Sequence, residues 1–312
     1  MMGGSGAHQP VLFEEALAAL DIKPAGRYVD GTFGRGGHSR AILDRLGSAG
    51  YLLAIDKDPD AIAYGLDRFS GEPRLILEQG SFAGMQALAE RLGWIGKVDG
   101  ILLDLGVSSP QLDLPERGFS FLADGPLDMR MDNTRGPTAG AWLASAEAAE
   151  IADVLKRYGE ERFSGRIAAG IVAARRTVPI ATTGRLAEII EAAVPFRERH
   201  KHPATRSFQA IRIFINGELE DLQRCLVQTI SVLAPAGRLV VISFHSLEDR
   251  IVKRFMRDQA RGDDFPPGVP VTRAQMHPRF RIVGKAIRPS QREMGLNPRA
   301  RSAVLRVVER MA

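Results

Sequence analysis

The stretch Asp30-Gly31-Thr32-Phe33-Gly34-Arg35-Gly36-Gly37-His38 decides the reading of this 312-residue chain. It follows a short apolar run, Arg27 to Asp30, and leads into a helical pattern from His38 to Leu46. A strand that ends in an acid, turns through glycines and enters a helix places a ligand at the carboxyl edge of an open α/β sheet, where such folds bind nucleotides. Glycine lets the backbone approach a ligand closely and adopt positive φ, so a turn this rich in it is shaped around something. The spacing of Gly31, Gly34, Gly36 and Gly37 departs from the G-x-G-x-x-G dinucleotide fingerprint, and the chain holds no G-x-x-x-x-G-K-[ST] phosphate loop.

Outward from the turn, short apolar runs alternate with amphipathic stretches, the signature of β-α units on a parallel sheet. Strands are predicted at Arg27 to Asp30, Tyr51 to Asp56, Leu75 to Glu78 and Val98 to Asp104, with helices at His38 to Leu46, Pro59 to Phe69 and Phe82 to Leu92. Val98 to Leu105 is nearly all apolar, as a strand buried on both faces should be. The pattern then changes. Ser109 to Gly140 is rich in Pro, Gly and Asp, and Trp142 to Val194 repeats apolar residues at helical spacing with no strand signal. A helix over Gly217 to Leu233, a strand over Gly237 to Phe244 and a last strand over Ser302 to Val308 resume the sheet.

The Gly-rich turn resembles motif I of class I methyltransferases, which implies S-adenosylmethionine as cofactor. The expected fold is therefore α/β, a class I (Rossmann-like) methyltransferase sheet with an inserted all-helical domain. The methyltransferase domain is expected over residues 1–112 and 214–312, and the helical substrate-recognition domain over 113–213. Asp56 ends the second strand, where a carboxylate can accept both ribose hydroxyls of an adenosine; nicotinamide enzymes share this feature. Phe82, after the third strand, either covers the adenine or starts a helix as a core aromatic. Asp104 and Ser108 follow the fourth strand, the position from which amino-methyltransferases hold their acceptor nitrogen, and His245 ends the resumed strand as a further candidate. Such acceptors help an exocyclic amine whose lone pair is delocalised into its ring. Methylation at a pyrimidine C5 would need a cysteine nucleophile, and the one cysteine, Cys225, sits in a helical pattern far from any such motif. The chain also lacks the (Asp/Asn/Ser)-Pro-Pro-(aromatic) tetrapeptide of many amino-methyltransferases. Ser246-Leu247-Glu248-Asp249 reads as a helix cap, with Ser246 accepting from the first turn. Asp128, Arg130 and Asp132 read equally as an ion-pair cluster or a functional one, and no His/Cys/carboxylate spacing suggests a metal.

At 45% hydrophobic and 25% charged residues the composition is that of a globular enzyme, without an apolar run long enough to span a bilayer. A start lacking the layout of a signal peptide and a lone cysteine point to the cytoplasm. Net charge is +5, yet Arg273 to Arg310 carries ten Lys or Arg against two acids, so the remainder is acidic. Such a segment is either a solvated face or a phosphate-contact surface.

Taken in order, His8 to Leu12, the turn through His38, Asp104 to Leu112, Arg117 to Phe121, Asp124 to Asp132, His202 to Ala210, Ser243 to Arg250 and Asn297 to Ala303 closely resemble the RsmH (MraW) family of bacterial 16S rRNA cytosine-N4 methyltransferases. The resemblance implies a cofactor pocket lined by Gly36, Gly37, His38, Asp56, Phe82, Asp104 and Gln111. It also implies a substrate, the N4 amine of a cytidine in the decoding centre of 16S rRNA, as free rRNA or small ribosomal subunit, with no membrane partner. A homodimer is compatible with the pattern, as is a monomer. A structured RNA target would account for the basic residues Arg197, Arg199, Lys201, Arg206 and Arg212 around the end of the insertion, and Arg288, Arg292, Arg299 and Arg301 near the C-terminus. Contacts to about four phosphates would give a log-log salt slope of order −3 to −4. The rival readings are a nicotinamide-dependent oxidoreductase, against which the glycine spacing argues, and a catalytically silent RNA-binding module.

Overall fold

The computed structural model describes residues 10–195, 202–263 and 274–312. Residues His8, Gln9, Arg197, Arg199 and Lys201, singled out above, lie outside the described residues. The chain forms two compact units: one holds the residues up to Gly106 and from Glu220 onward, the other Val107–Leu219.

The first unit opens with α1 (Phe13–Leu20), then alternates β1 (Arg27–Asp30), α2 (Gly37–Leu43), β2 (Tyr51–Asp56), α3 (Pro59–Arg68), β3 (Leu75–Gln79), α4 (Met85–Arg91) and β4 (Val98–Asp104). The second unit is helical: α5 (Ser109–Asp113), α6 (Ala139–Ser145), α7 (Ala148–Gly159), α8 (Ser164–Arg175), α9 (Thr183–Ala193) and α10 (Thr205–Asn216). α11 (Glu218–Val232) leads back to the first unit, which ends with β5 (Leu233–Ser243), α12 (Ser246–Arg261), β6 (Phe280–Ile282), α13 (Gln291–Leu296) and β7 (Val304–Arg310).

The seven strands form one sheet in the order β3-β2-β1-β4-β5-β7-β6. β1, β2, β3, β4 and β5 pair in parallel, while β7 runs antiparallel to both β5 and β6. A dinucleotide-binding sheet has the order 3-2-1-4-5-6; here an antiparallel strand is wedged beside β5, which sets this fold apart. Because side chains alternate along a strand, neighbours serve opposite layers. Leu102, Val240 and Ile242 pack with Leu17, Ile42 and Leu43 on one face, whereas Ile101, Leu103, Leu239 and Val241 pack with Met85, Leu226 and Val252 on the other. Burial on both faces explains why these strands read as unbroken apolar runs.

The structure differs from expectation at several element ends. β5 extends back to Leu233, but its regular pairing begins at Arg238 opposite Gly100, after a register irregularity and a left-handed Ala236 (φ 61°). Regular pairing thus starts where Gly237 signalled it. Phe82–Gly84 is a 3-10 turn and not the first turn of α4. Among the described residues no helix is long and apolar enough to cross a membrane.

Inside the second unit the Pro/Gly-rich segment is pinned by side chains. Asn216, the last residue of α10, donates to Met129 O (2.7 Å) and accepts from Met131 N (2.7 Å). Met129 is buried with φ 62°, a strained conformation for a long side chain that these two bonds hold in place. Asp128 grips Arg130 through both carboxylate oxygens (2.8 and 2.7 Å), and Asp132 pairs with Arg135, so this acidic run is an ion-pair cluster within the unit.

Candidate active site

Three parallel strands end in a carboxylate at the same edge: Asp30 on β1, Asp56 on β2 and Asp104 on β4. This edge contains the point where strand order reverses, between β1 and β4, the crevice where open α/β sheets bind ligands. The Gly-rich turn is stitched across it. Gly31 N donates to Leu102 O (2.9 Å), Phe33 N to Ile55 O (3.0 Å), and Asp104 N to Thr32 Oγ1 (2.7 Å). A Cβ at Gly31 would stand 2.5 Å from Leu103 Cδ2 and 3.2 Å from Phe82 Cβ, so the missing side chain is what lets Phe82 sit against the turn.

Asp56 receives Gly34 N on Oδ2 (2.7 Å) and Asp58 N on Oδ1 (2.9 Å). Burial pushes its carboxyl up to about 6, against the lowering effect of those two N–H donors. Each oxygen keeps acceptor capacity beyond its single bond, which is what a vicinal diol requires. Gly34 has φ +53° and only Thr32 O, at 4.0 Å, near the place of a Cβ, so the backbone there is open to a ligand. Gly36 and Gly37 serve differently. A Cβ at Gly36 would lie 2.7 Å from the Phe69 ring and 2.8 Å from Phe33, and one at Gly37 would lie 2.6 Å from Pro10 Cγ. Both glycines are packed from within, leaving only their backbone for a ligand.

Asp30 is fully buried and internally satisfied: Oδ2 accepts from Ser39 Oγ (2.6 Å) and Oδ1 from Thr32 N (3.1 Å). Burial raises its pKa in spite of these bonds. His38, on the first turn of α2, is buried with its ring stacked on Phe13 at 5.5 Å. Its Nε2 lies 3.5 Å from Asp104 Oδ2, within ion-pair reach. Among the described residues, neither ring nitrogen of His38 nor Asp104 Oδ1 has a hydrogen-bond partner. Burial pulls the imidazole pKa down, but Asp104 and Asp30 outweigh it and the net direction is upward.

His245 is taken up by the fold. It is the N-cap of α12, with Nδ1 accepting from Glu248 N (3.4 Å), while Glu248 Oε2 receives Phe244 N (2.8 Å) and His245 N (3.3 Å). The cap expected at Ser246 therefore sits one residue earlier, because the reciprocating glutamate stands three residues after His245. One cluster had no signal in sequence: Asp221 on α11 binds Lys57 Nζ (2.6 Å), Ser81 Oγ (2.6 Å) and Arg224 (2.7 Å), tying the ends of β2 and β3 to a helix 140 residues on from Ser81.

Ser108 and Gln111 belong to the second unit, where they form the capping box of α5; the buried Gln111 accepts Ser108 N (2.9 Å). Of the basic residues proposed for RNA, Arg288, Arg292, Arg299 and Arg301 are exposed and Arg206 is half-buried. Arg212 is held by both oxygens of the buried Glu218 (2.8 Å each), a pairing that withdraws it from a phosphate role.

The fold is an open α/β sheet with a switch point at its carboxyl edge, and the family to which the chain belongs makes it an S-adenosylmethionine-dependent methyltransferase. The chain belongs to the MraW methylase family, whose pattern matches residues 5–311. It is 61% identical over 307 residues to the ribosomal RNA small subunit methyltransferase H of Thioalkalivibrio sulfidiphilus, covering 98% of each chain. Among solved structures, an rRNA methylase from Streptococcus thermophilus aligns over 98% of this chain and 100% of its own at 10% identity and TM-score 0.41. A SAM-dependent O-methyltransferase from Thermotoga maritima aligns over 99% of this chain and 69% of its own, at 9% identity and TM-score 0.42.

Proposed function

We propose that this protein transfers a methyl group from S-adenosylmethionine to the exocyclic N4 amine of a cytidine in the decoding centre of small-subunit rRNA, in the cytoplasm. The observation that carries the reading is 61% identity, over 98% of both chains, to a ribosomal RNA small subunit methyltransferase H. The carboxyl edge of the sheet suits the cofactor: Asp56 has acceptor capacity for two ribose hydroxyls, and Gly34 leaves its backbone approachable. Gly36 and Gly37 would contribute backbone, Phe82 its ring, and His38 and Asp104 the buried polar atoms that lack internal partners. For Ser108 and Gln111 the proposal rests on the family resemblance alone.

Bound S-adenosylmethionine would supply an electrophilic methyl on a sulfonium. The protein does two things. It orients the acceptor amine in line, an effect worth on the order of 7 to 11 kcal/mol in favourable cases, and it receives the amine proton. Asp104 Oδ1, a buried acceptor without a partner, is the group we assign to that proton; His245 we assign to the cap of α12. The helical unit would recognise the RNA fold, with Arg206, Arg288, Arg299 and Arg301 on its phosphates while one base is extruded at a cost of a few kcal/mol.

The test is methyl transfer from labelled S-adenosylmethionine to naked rRNA and to small subunits from a strain lacking the activity, followed by nucleoside analysis. N4-methylated cytidine at one position is expected. Label on a ring carbon, a ribose or protein would refute the assignment.

A further inference from the structure

The buried polar cluster at Asp104 holds a histidine whose ring nitrogens have no hydrogen-bond partner among the described residues and whose Nε2 stands 3.5 Å from the carboxylate. We propose that His38 is the terminal proton acceptor of the methyl transfer, receiving through Asp104 the proton that the acceptor amine gives up. The inference rests on the amine-acceptor reading above.

The geometry supplies the path. Asp104 has two unequal oxygens: Oδ1 is buried without a partner, and Oδ2 stands 3.5 Å from His38 Nε2. A buried acceptor left unsatisfied is unfavourable, so the site is built for a donor that arrives from outside the protein. As the N–C bond forms and the C–S bond breaks, the amine N–H bond breaks too; the Asp104 carboxylate takes that proton on Oδ1, turns its carboxyl so that the protonated oxygen faces the ring, and passes the proton to Nε2, which returns Asp104 to the carboxylate. His38 must begin neutral, with its hydrogen on Nδ1, and it ends as imidazolium beside the Asp104 carboxylate. The charged groups acting on the ring are Asp104 from β4 and Asp30 from β1. α1 contributes the uncharged Phe13 ring, and on α2 itself Arg40 is turned away, stacked on Phe69 at 4.1 Å and donating to Arg68 O. Both facing groups are acids, and together they raise the ring's affinity for a proton. Asp30 is engaged by Ser39 and Thr32, and its burial disfavours its own charged form, so Asp104 is the partner that exchanges the proton.

His38 then acts through Asp104 as a positioning and proton-storing residue, and its signature is a pH limb. Single-turnover rates at saturating cofactor and RNA should rise about tenfold per pH unit below the His38 pKa and level off above it. His38→Gln should lose the limb and run about 100-fold slower at the plateau, at the low end of what general base catalysis contributes. A second readout needs no turnover: in the ligand-free protein the His38 Hε1 resonance should titrate above the ordinary 6.5 and move down in Asp104→Asn. Retention of the limb in His38→Gln, a flat wild-type profile, or a His38 titration unmoved by Asp104→Asn would overturn the proposal. Should His38→Gln fail to fold, the wild-type profile and the titration still decide it. Label reaching N4 with a flat profile defeats this inference alone; label never reaching N4 defeats the function reading beneath it.

Discussion

Asp56→Asn separates what the carboxylate does for the ligand from what it does for the fold. In the native state the Asp56 pKa is about 6 against 3.8 for the free side chain. The native protein therefore binds more protons than the unfolded chain between those values, and stability is lost as pH rises through this window. A shift of about two units corresponds to roughly 3 kcal/mol in full, and the part falling between pH 4.5 and 7.5 is about 2 kcal/mol. Asparagine carries no charge and removes this dependence, while its amide N–H₂ faces one of the two backbone donors, Gly34 N or Asp58 N. That mismatch costs about 1 to 3 kcal/mol at every pH. Urea unfolding of both proteins across pH 4.5 to 7.5 should show the wild type losing about 2 kcal/mol relative to the variant, so that the two become nearly equal at neutral pH. Calorimetry with S-adenosylhomocysteine should show the reverse hierarchy: loss of two charge-assisted bonds of about 1.5 kcal/mol each weakens binding about 100-fold. A stability difference constant across pH would refute the electrostatic argument, and unchanged affinity would refute the placement of the ribose at Asp56.

Three further outcomes follow from packing and charge. Gly36→Ala must place a Cβ 2.7 Å from Phe69 at φ +69°, so thermal unfolding should show a loss of about 2 to 3 kcal/mol whether or not cofactor is present; a fully stable variant with weakened cofactor binding would show that the residue touches the ligand. Arg212→Ala leaves the buried Glu218 without this cation and should destabilise the protein by about 2 to 4 kcal/mol in urea, with the salt slope of RNA binding unchanged. Arg288→Ala and Arg301→Ala should keep the wild-type melting temperature and each reduce the magnitude of that slope by about 0.7 to 0.9; slopes equal to wild type would remove these arginines from the RNA surface.

How far the sequence could be read depended on how local the determining interactions are. β1, β2 and β4 run between the residues their patterns mark, because burial on both faces fills each strand's interior with a continuous run of buried residues. β6 left no such trace: it is three residues long, and only Phe280 is buried while Arg281 and Ile282 are exposed. At the site, the pairing of the turn with Asp56 was legible because both lie at strand ends on one edge. The Lys57–Asp221–Ser81 cluster was not, since a polar cluster leaves no periodicity and its partners are far apart in sequence. The α12 cap was misplaced by one residue because serine is the better capping side chain, whereas the position of Glu248 settles which residue it can reciprocate.

The three carboxylates at the sheet edge show how the same residue type acquires different work. Asp30 has both oxygens engaged by Ser39 and Thr32, so it offers nothing to a ligand and shapes the turn while lending charge to its neighbours. Asp56 has one backbone donor on each oxygen, a half-filled shell that fixes its orientation and leaves room for two more donors. Asp104 has one oxygen facing His38 and the other facing no protein donor, the arrangement that is least favourable without a ligand. Internal satisfaction is thus greatest for Asp30 on β1, least for Asp104 on β4, and intermediate for Asp56 on β2. Sequence shows three acids at three strand ends; on the function proposed above, this ordering gives one to the frame, one to the cofactor and one to the proton. If that ordering is right, asparagine at Asp30 should chiefly lower the unfolding free energy, at Asp56 chiefly cofactor affinity, and at Asp104 chiefly the rate of the chemical step.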